Sequence, residues 1–163
     1  MWKRLKADIC KEIFASDSGS LLGIWVLETD QNDWQLLLNH LSAKYVVVYS
    51  EDGNNTSLPS AETILEKRKD VSRTLEVMLC GFTLNCHFFE VERIEVNLLP
   101  EDVNAPEKMD AVFELMTAIA ALLNKEVYLA AEFGSATLKE LRELAVCVVD
   151  PNDQSIRSRL DVG

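Results

Sequence analysis

The chain has 163 residues, 48% hydrophobic and 26% charged, enough for one domain that buries about two-thirds of its unfolded surface. Lys and Arg number 16 against 27 Asp and Glu, a net charge of −11 with a pI near 4.6, which disfavours nucleic acid and anionic lipid as partners because both attract cationic surfaces. Six Gly and four Pro are too few for a linker-built or low-complexity protein, and no apolar run approaches the ~18 residues of a membrane span.

The first segment, MWKRLKADICKEIF, places Trp2, Leu5, Ile9 and Ile13 on one face, the spacing of an amphipathic helix over residues 1–16. Asp8 and Glu12 interrupt what a signal peptide would need as a continuous apolar stretch. LLGIWVLET (21–29) reads as a strand. Asp30 is placed to cap a helix carrying Trp34, Leu37, Leu38 and Leu41, with Asp33 in its first turn. YVVVYS (45–50) is a continuous apolar run of strand length, expected to be buried on both faces. EDGNNTSLPS (51–60) is expected to be a loop. Ser60 is expected to cap a short charged helix ending near Asp70, and KRKDVSR (67–73) to form a basic patch.

Between Arg73 and Leu99 the pattern changes to period two. Leu75, Val77 and Leu79, then Leu84, Cys86 and Phe88, then Ile94, Val96 and Leu98 alternate with mostly polar residues, predicting a three-stranded antiparallel meander over about 74–99. If the apolar residues share a face, Cys80-Gly81 is a two-residue turn that sets Leu79 opposite Phe82 and Glu76 opposite Asn85. The second turn, Glu90–Glu92, must then have three residues or two more. In its short form it places His87 across from Glu95 and Asn85 across from Asn97. Pro106 suits the first turn of a long helix over about 106–124. Met109, Val112, Phe113, Met116, Ile119, Ala120 and Leu123 cover most of its circumference, so it should be buried against the sheet. VYLAAE, a short helix capped by Ser135, and AVCVVD follow. The tail at 151–163 is polar and expected to be disordered. About seven strands with helices outside the meander argue for a single α+β domain, 1–163, built on a mixed sheet.

Cys10, Cys80, Cys86 and Cys147 match no zinc or thioredoxin-type spacing, and each has apolar sequence neighbours. They read as reduced, core-filling thiols of a cytoplasmic protein. No nucleotide-loop, calcium-loop, zinc-helix or nucleophile-elbow pattern is present in the sequence, so no metal or cofactor is expected.

Two constellations carry the functional candidates. His87 and Glu95 would share the outward sheet face with Glu76, Asn85 and Arg93, where the carboxylate could orient the imidazole as a general base, with Glu132 as a further carboxylate nearby. The same pattern is what the solvated face of an ordinary antiparallel sheet looks like, and no nucleophile at a suitable spacing accompanies the pair. Cys86 and His87, being adjacent on a strand, point to opposite faces and cannot act as a dyad. The second constellation is charge. From Glu90 to Glu114 eight acids stand against Arg93 and Lys108, a net of −6 that serves solubility or docks a cationic partner. Glu101, Asp102, Glu107, Asp110 and Glu114 are the binding candidates, with Trp34, Tyr45 and Tyr49 as anchors if exposed. Self-association with the basic patch at 67–73 is a third use of that charge.

The expectation from sequence is therefore a non-catalytic acidic module that covers a basic protein partner. In size, charge and mixed α/β pattern, though in no motif, it resembles the immunity proteins of bacterial toxin systems. The alternative is a small-molecule-binding protein or enzyme centred on His87 and Glu95.

Overall fold

The computed structural model describes residues 14, 21–66, 70–131, 137–152 and 156–158. The elements run β1 (Leu22–Leu27), α1 (Gln31–Lys44), β2 (Val46–Glu51), β3 (Asn54–Thr56), α2 (Ala61–Glu66), β4 (Arg73–Leu79), β5 (Phe82–His87), β6 (Arg93–Leu98), a 3-10 turn (Pro100–Asp102), α3 (Pro106–Leu123), β7 (Val127–Ala131), α4 (Leu138–Leu144), β8 (Cys147–Val149) and β9 (Ile156–Ser158). The strands form one sheet in the order β3-β2-β4-β5-β6-β1-β7-β8-β9.

The fold is α+β, with the meander at its centre. Leu79 pairs with Phe82 and Glu76 with Asn85, and both turn residues, Cys80 and Gly81, have positive φ, as a type I′ hairpin requires. Asn85 pairs with Asn97, the register that parity dictates. Among the described residues every pairing is antiparallel, so the described sheet is antiparallel and not mixed as expected. The reason is β1, which inserts between β6 and β7 and runs antiparallel to both.

The first face of the sheet packs on α1, α2 and α3. Ile24, Leu75, Val77, Leu84, Cys86, Ile94, Val96 and Leu129 meet Trp34, Leu37, Leu41, Ile64, Val112, Phe113, Met116 and Ile119 in one core. Each fully buried aliphatic or aromatic side chain contributes roughly 1.5–3 kcal/mol. As expected, α3 is largely buried, with Pro106 in its first turn and Asn124 closing it in the left-handed conformation. Asp30 caps α1 through a capping box with Asp33. Phe14 is helical and buried, its ring 6.1 Å from that of Phe113; the rest of the expected N-terminal helix lies outside the described residues.

The second face is covered where α4 lies on it. Trp25, Tyr128, Ala130, Leu141 and Ala145 form a separate buried cluster there. Trp25 lies flat over Gly23, where a Cβ would overlap its Nε1. Toward β2 and β4 the second face is open, with Val46 and Met78, opposite each other, 70% and 42% exposed.

Several expectations are corrected. β2 is not buried on both faces, because only the first is covered. The segment expected to be a loop after it is a hairpin: Asp52 and Gly53, both at positive φ, turn the chain into β3. α4 is capped by Thr137, in a capping box with Glu140, and not by Ser135. The helix expected to end near Asp70 is described over Ala61–Glu66. Ile156–Ser158, in the tail expected to be disordered, pairs with β8. With β3 and β9 the described strands number nine.

Arg73 does not belong to a surface patch. It is 7% exposed, pairs with Glu51 at 3.2 Å and donates to the Ile64 carbonyl at 2.9 Å. Tyr49 donates to the same Glu51 carboxylate at 3.0 Å, so this network ties α2 to the sheet edge. Burial is the main reason the Tyr49 hydroxyl is pushed up to about 12. Lys67–Lys69 lie outside the described residues.

Candidate functional site

The Asn85–Asn97 pairing sets the register in which His87 would fall across from Glu95, but the β5–β6 ladder stops at Cys86 and Val96, one step short of that pair. Beyond it the chain splays into a five-residue connection, Phe88–Glu92, because those residues are tied elsewhere. Phe88 is buried against Trp34, with ring centroids 5.1 Å apart. The Trp34 indole donates to the carbonyls of Glu90 and Val91 at 3.2 and 3.1 Å, and Thr29 donates its hydroxyl to Val91 and its N–H to Glu92. His87 is half-buried and stacks on Phe89 at 5.1 Å.

The second face of β6 is not solvated, in contrast to the sequence expectation. Glu95 is 5% and Asn97 3% exposed. Arg93, expected to be an open surface charge, lies over the Trp25 ring at 5.3 Å. Glu132 lies outside the described residues. Cys86 points into the core, as alternation requires, and burial is the first cause of its thiol being pushed up to about 12, with the Glu95 charge second. Cys147 is likewise buried, whereas Cys80, expected in an apolar setting, is exposed on its turn.

Neither of two clefts lined by described residues includes His87 or Glu95. The first, of about 400 Å³, is lined by Lys44, Tyr45, Leu79, Cys80, Glu107, Asp110, Ala111 and Glu114. Helical spacing brings three of the five binding candidates together, since positions 107, 110 and 114 fall on one face of α3. The end of β4 with its turn (Leu79, Cys80) and the end of α1 (Lys44, Tyr45) supply the rest of the lining. Cys80 Sγ reaches the Glu107 carbonyl at 3.8 Å, and the Lys44 ammonium sits 5.7 Å from the Tyr45 ring centre. Among the described residues neither Glu107 nor Glu114 has an ion-pair partner. Glu101 and Asp102, on the 3-10 turn that follows β6, do not line this cleft. Of the proposed anchors, Trp34 and Tyr49 are buried and only Tyr45 borders the cleft.

The second cleft, of about 350 Å³, lies at the other end of the strands and was not anticipated. Its lining comes from five segments: the end of β1, the α3–β7 connection, β7, α4 and the β8–β9 turn. Such a site has no local sequence signature. No group of three or more His, Cys, Asp or Glu side chains placed to hold a metal occurs among the described residues, and no helix there is long and apolar enough to cross a membrane. Neither a protein-family model, nor a curated protein, nor a solved structure matches the chain.

Proposed function

We propose that this protein is an acidic binding module whose α3 cleft receives Lys or Arg side chains of a basic protein partner. The observation that carries the reading is the convergence of Glu107, Asp110 and Glu114, with Ala111, on the α3 side of a cleft whose other lining includes Leu79 and Tyr45. A carboxylate rim over an apolar floor suits a long cationic side chain, because the stem packs on hydrocarbon while the charged head meets the acids. Glu101 and Asp102, one short turn upstream in the chain, extend the negative field beyond the cleft and would raise the rate of encounter. We place the module in the cytoplasm, where the exposed Cys80 thiol would stay reduced.

The test is titration with a short arginine-rich peptide, followed by NMR shift mapping. Saturable shifts should cluster on Tyr45, Cys80, Ala111 and Glu114. Neutralising the cleft (Glu107→Gln, Asp110→Asn, Glu114→Gln) should weaken binding about tenfold or more and flatten its salt dependence. Neutralising Glu62, Glu66 and Asp70, three exposed acids on and just after α2, removes the same charge elsewhere and should leave most of the affinity. Equal losses in the two variants would mean a diffuse field and not a site, and would end this reading.

A further inference from the structure

The second cleft has a different chemistry from the first. Arg142 of α4 lines it, its side chain 57% exposed and anchored at two points. Its Nε donates to the Tyr128 hydroxyl at 3.3 Å, and its Nη2 donates to Glu126 at 2.9 Å. A guanidinium has five N–H groups, so three remain for another acceptor. Tyr128 is itself 2% exposed in the second core cluster, so one of the two groups that hold Arg142 is packed in place. Glu28 lines the same cleft and has no side-chain hydrogen bond or ion pair among the described residues. Lys125 lines the same space and is drawn toward Asp33 at 3.9 Å. Leu27, Leu138 and Pro151 supply an apolar patch, and Asn124 and Asn152 supply amides.

Backbone conformation draws further attention to Glu28. Among the described residues, four other than Gly have positive φ: Glu28, Asp52, Cys80 and Asn124. Asp and Asn tolerate that region through short polar side chains, whereas Glu and Cys are held there against preference. These two strained residues each line one of the two clefts. Strain of this kind persists where surrounding structure over-determines it, commonly at sites of binding. At position 28 a glycine would be the relaxed choice, yet it would remove the carboxylate.

From the unsaturated guanidinium, the unpaired carboxylate and the apolar residues that line the cleft with them, we infer that this cleft binds a small zwitterion, a free amino acid or short peptide carrying both a carboxylate and an ammonium group. The carboxylate takes the spare N–H groups of Arg142, the ammonium takes Glu28, and an aliphatic side chain lies on Leu27, Leu138 and Pro151. The cleft volume is at the lower end of that typical for small-molecule sites.

Three probes separate the contributions in the full-length protein: L-leucine, leucinamide (no carboxylate) and N-acetylleucine (no ammonium). L-leucine should give saturable amide shifts at Glu28, Asn124, Leu138 and Asn152. Each truncated probe should bind at least about tenfold more weakly, one ion-paired contact being lost. Arg142→Gln should weaken leucine yet leave leucinamide unchanged, and Glu28→Gln should weaken leucine yet leave N-acetylleucine unchanged. Glu28→Gly should raise the thermal midpoint while abolishing leucine binding, which a merely structural role for Glu28 would not produce. Leucinamide or N-acetylleucine binding as tightly as leucine would overturn the inference. So would the absence of saturable shifts at millimolar leucine.

Discussion

Asn97 sits on β6, 3% exposed, and its Oδ1 has no hydrogen-bond partner among the described residues. A buried amide oxygen without a donor costs roughly 1–3 kcal/mol. On the same face, Gly23 of β1 lies directly beside Asn97 under the Trp25 indole, so the position has the steric and solvent environment of a core. Asn97→Val replaces the orphaned amide with a β-branched side chain suited to a strand. It should raise unfolding stability by about 1 kcal/mol, read as a higher urea midpoint with an unchanged slope. A comparable loss would show that the amide makes a favourable contact. Sequence alternation correctly assigned Asn97 to the face opposite Val96, since side-chain direction is a local property of a strand. It did not show that this second face is covered at β6, because that depends on β1 inserting alongside and on the cluster built around Trp25.

Among the elements, those fixed by nearest-neighbour chemistry were the legible ones. The Asp30 cap with Asp33 in the first turn, the entry of α3 at Pro106 and the Cys80-Gly81 turn each depend on a few adjacent residues. β3 was hidden because Asn54–Thr56 is polar and exposed, with only the positive-φ pair Asp52-Gly53 to signal a hairpin. The C-terminal part of α1 carries a pH dependence. His40 is half-buried there, and its pKa is lowered, first by burial and then by the Lys44 charge. As pH falls, the unfolded chain therefore takes up this proton before the folded one does. The stability His40 contributes is complete above its ordinary value near 6.5 and is lost as pH drops through the lower folded value. Urea midpoints measured at about pH 7.5 and about pH 5.5 should differ less in His40→Gln than in the parent protein. An equal difference would show that His40 does not titrate across the folding transition.

For the whole molecule, strand order and charge distribution are the features that single elements cannot supply. The register places the β4–β5 turn, the end of β6 and the start of β2 at one end of the sheet, and α3 brings Glu107, Asp110 and Glu114 alongside that end. The run of acids in the sequence thus announced a field, and the fold selected which acids meet around a cleft. The second cleft has walls from five distant segments, and its acids and bases are scattered through the sequence at positions 28, 125, 126, 142 and 150. Concentrating like charge at one end of a molecule with net charge −11 opposes the compact state. Raising salt from about 0.01 M to about 0.15 M shortens the Debye length from about 30 Å to about 8 Å, and should increase the urea midpoint. The cleft-neutralised variant, Glu107→Gln with Asp110→Asn and Glu114→Gln, should start more stable at low salt and gain less from added salt. A module selected only for stability and solubility would have little reason to hold these carboxylates together. One that binds cations through them gives up folding stability in the free state and recovers it on binding, since a ligand specific for the folded form stabilises that form. The arginine-rich peptide should accordingly raise the midpoint of the parent at low salt and leave that of the variant nearly unchanged. Equal stabilisation of both would place the charge repulsion elsewhere and separate the acidic end from any binding role.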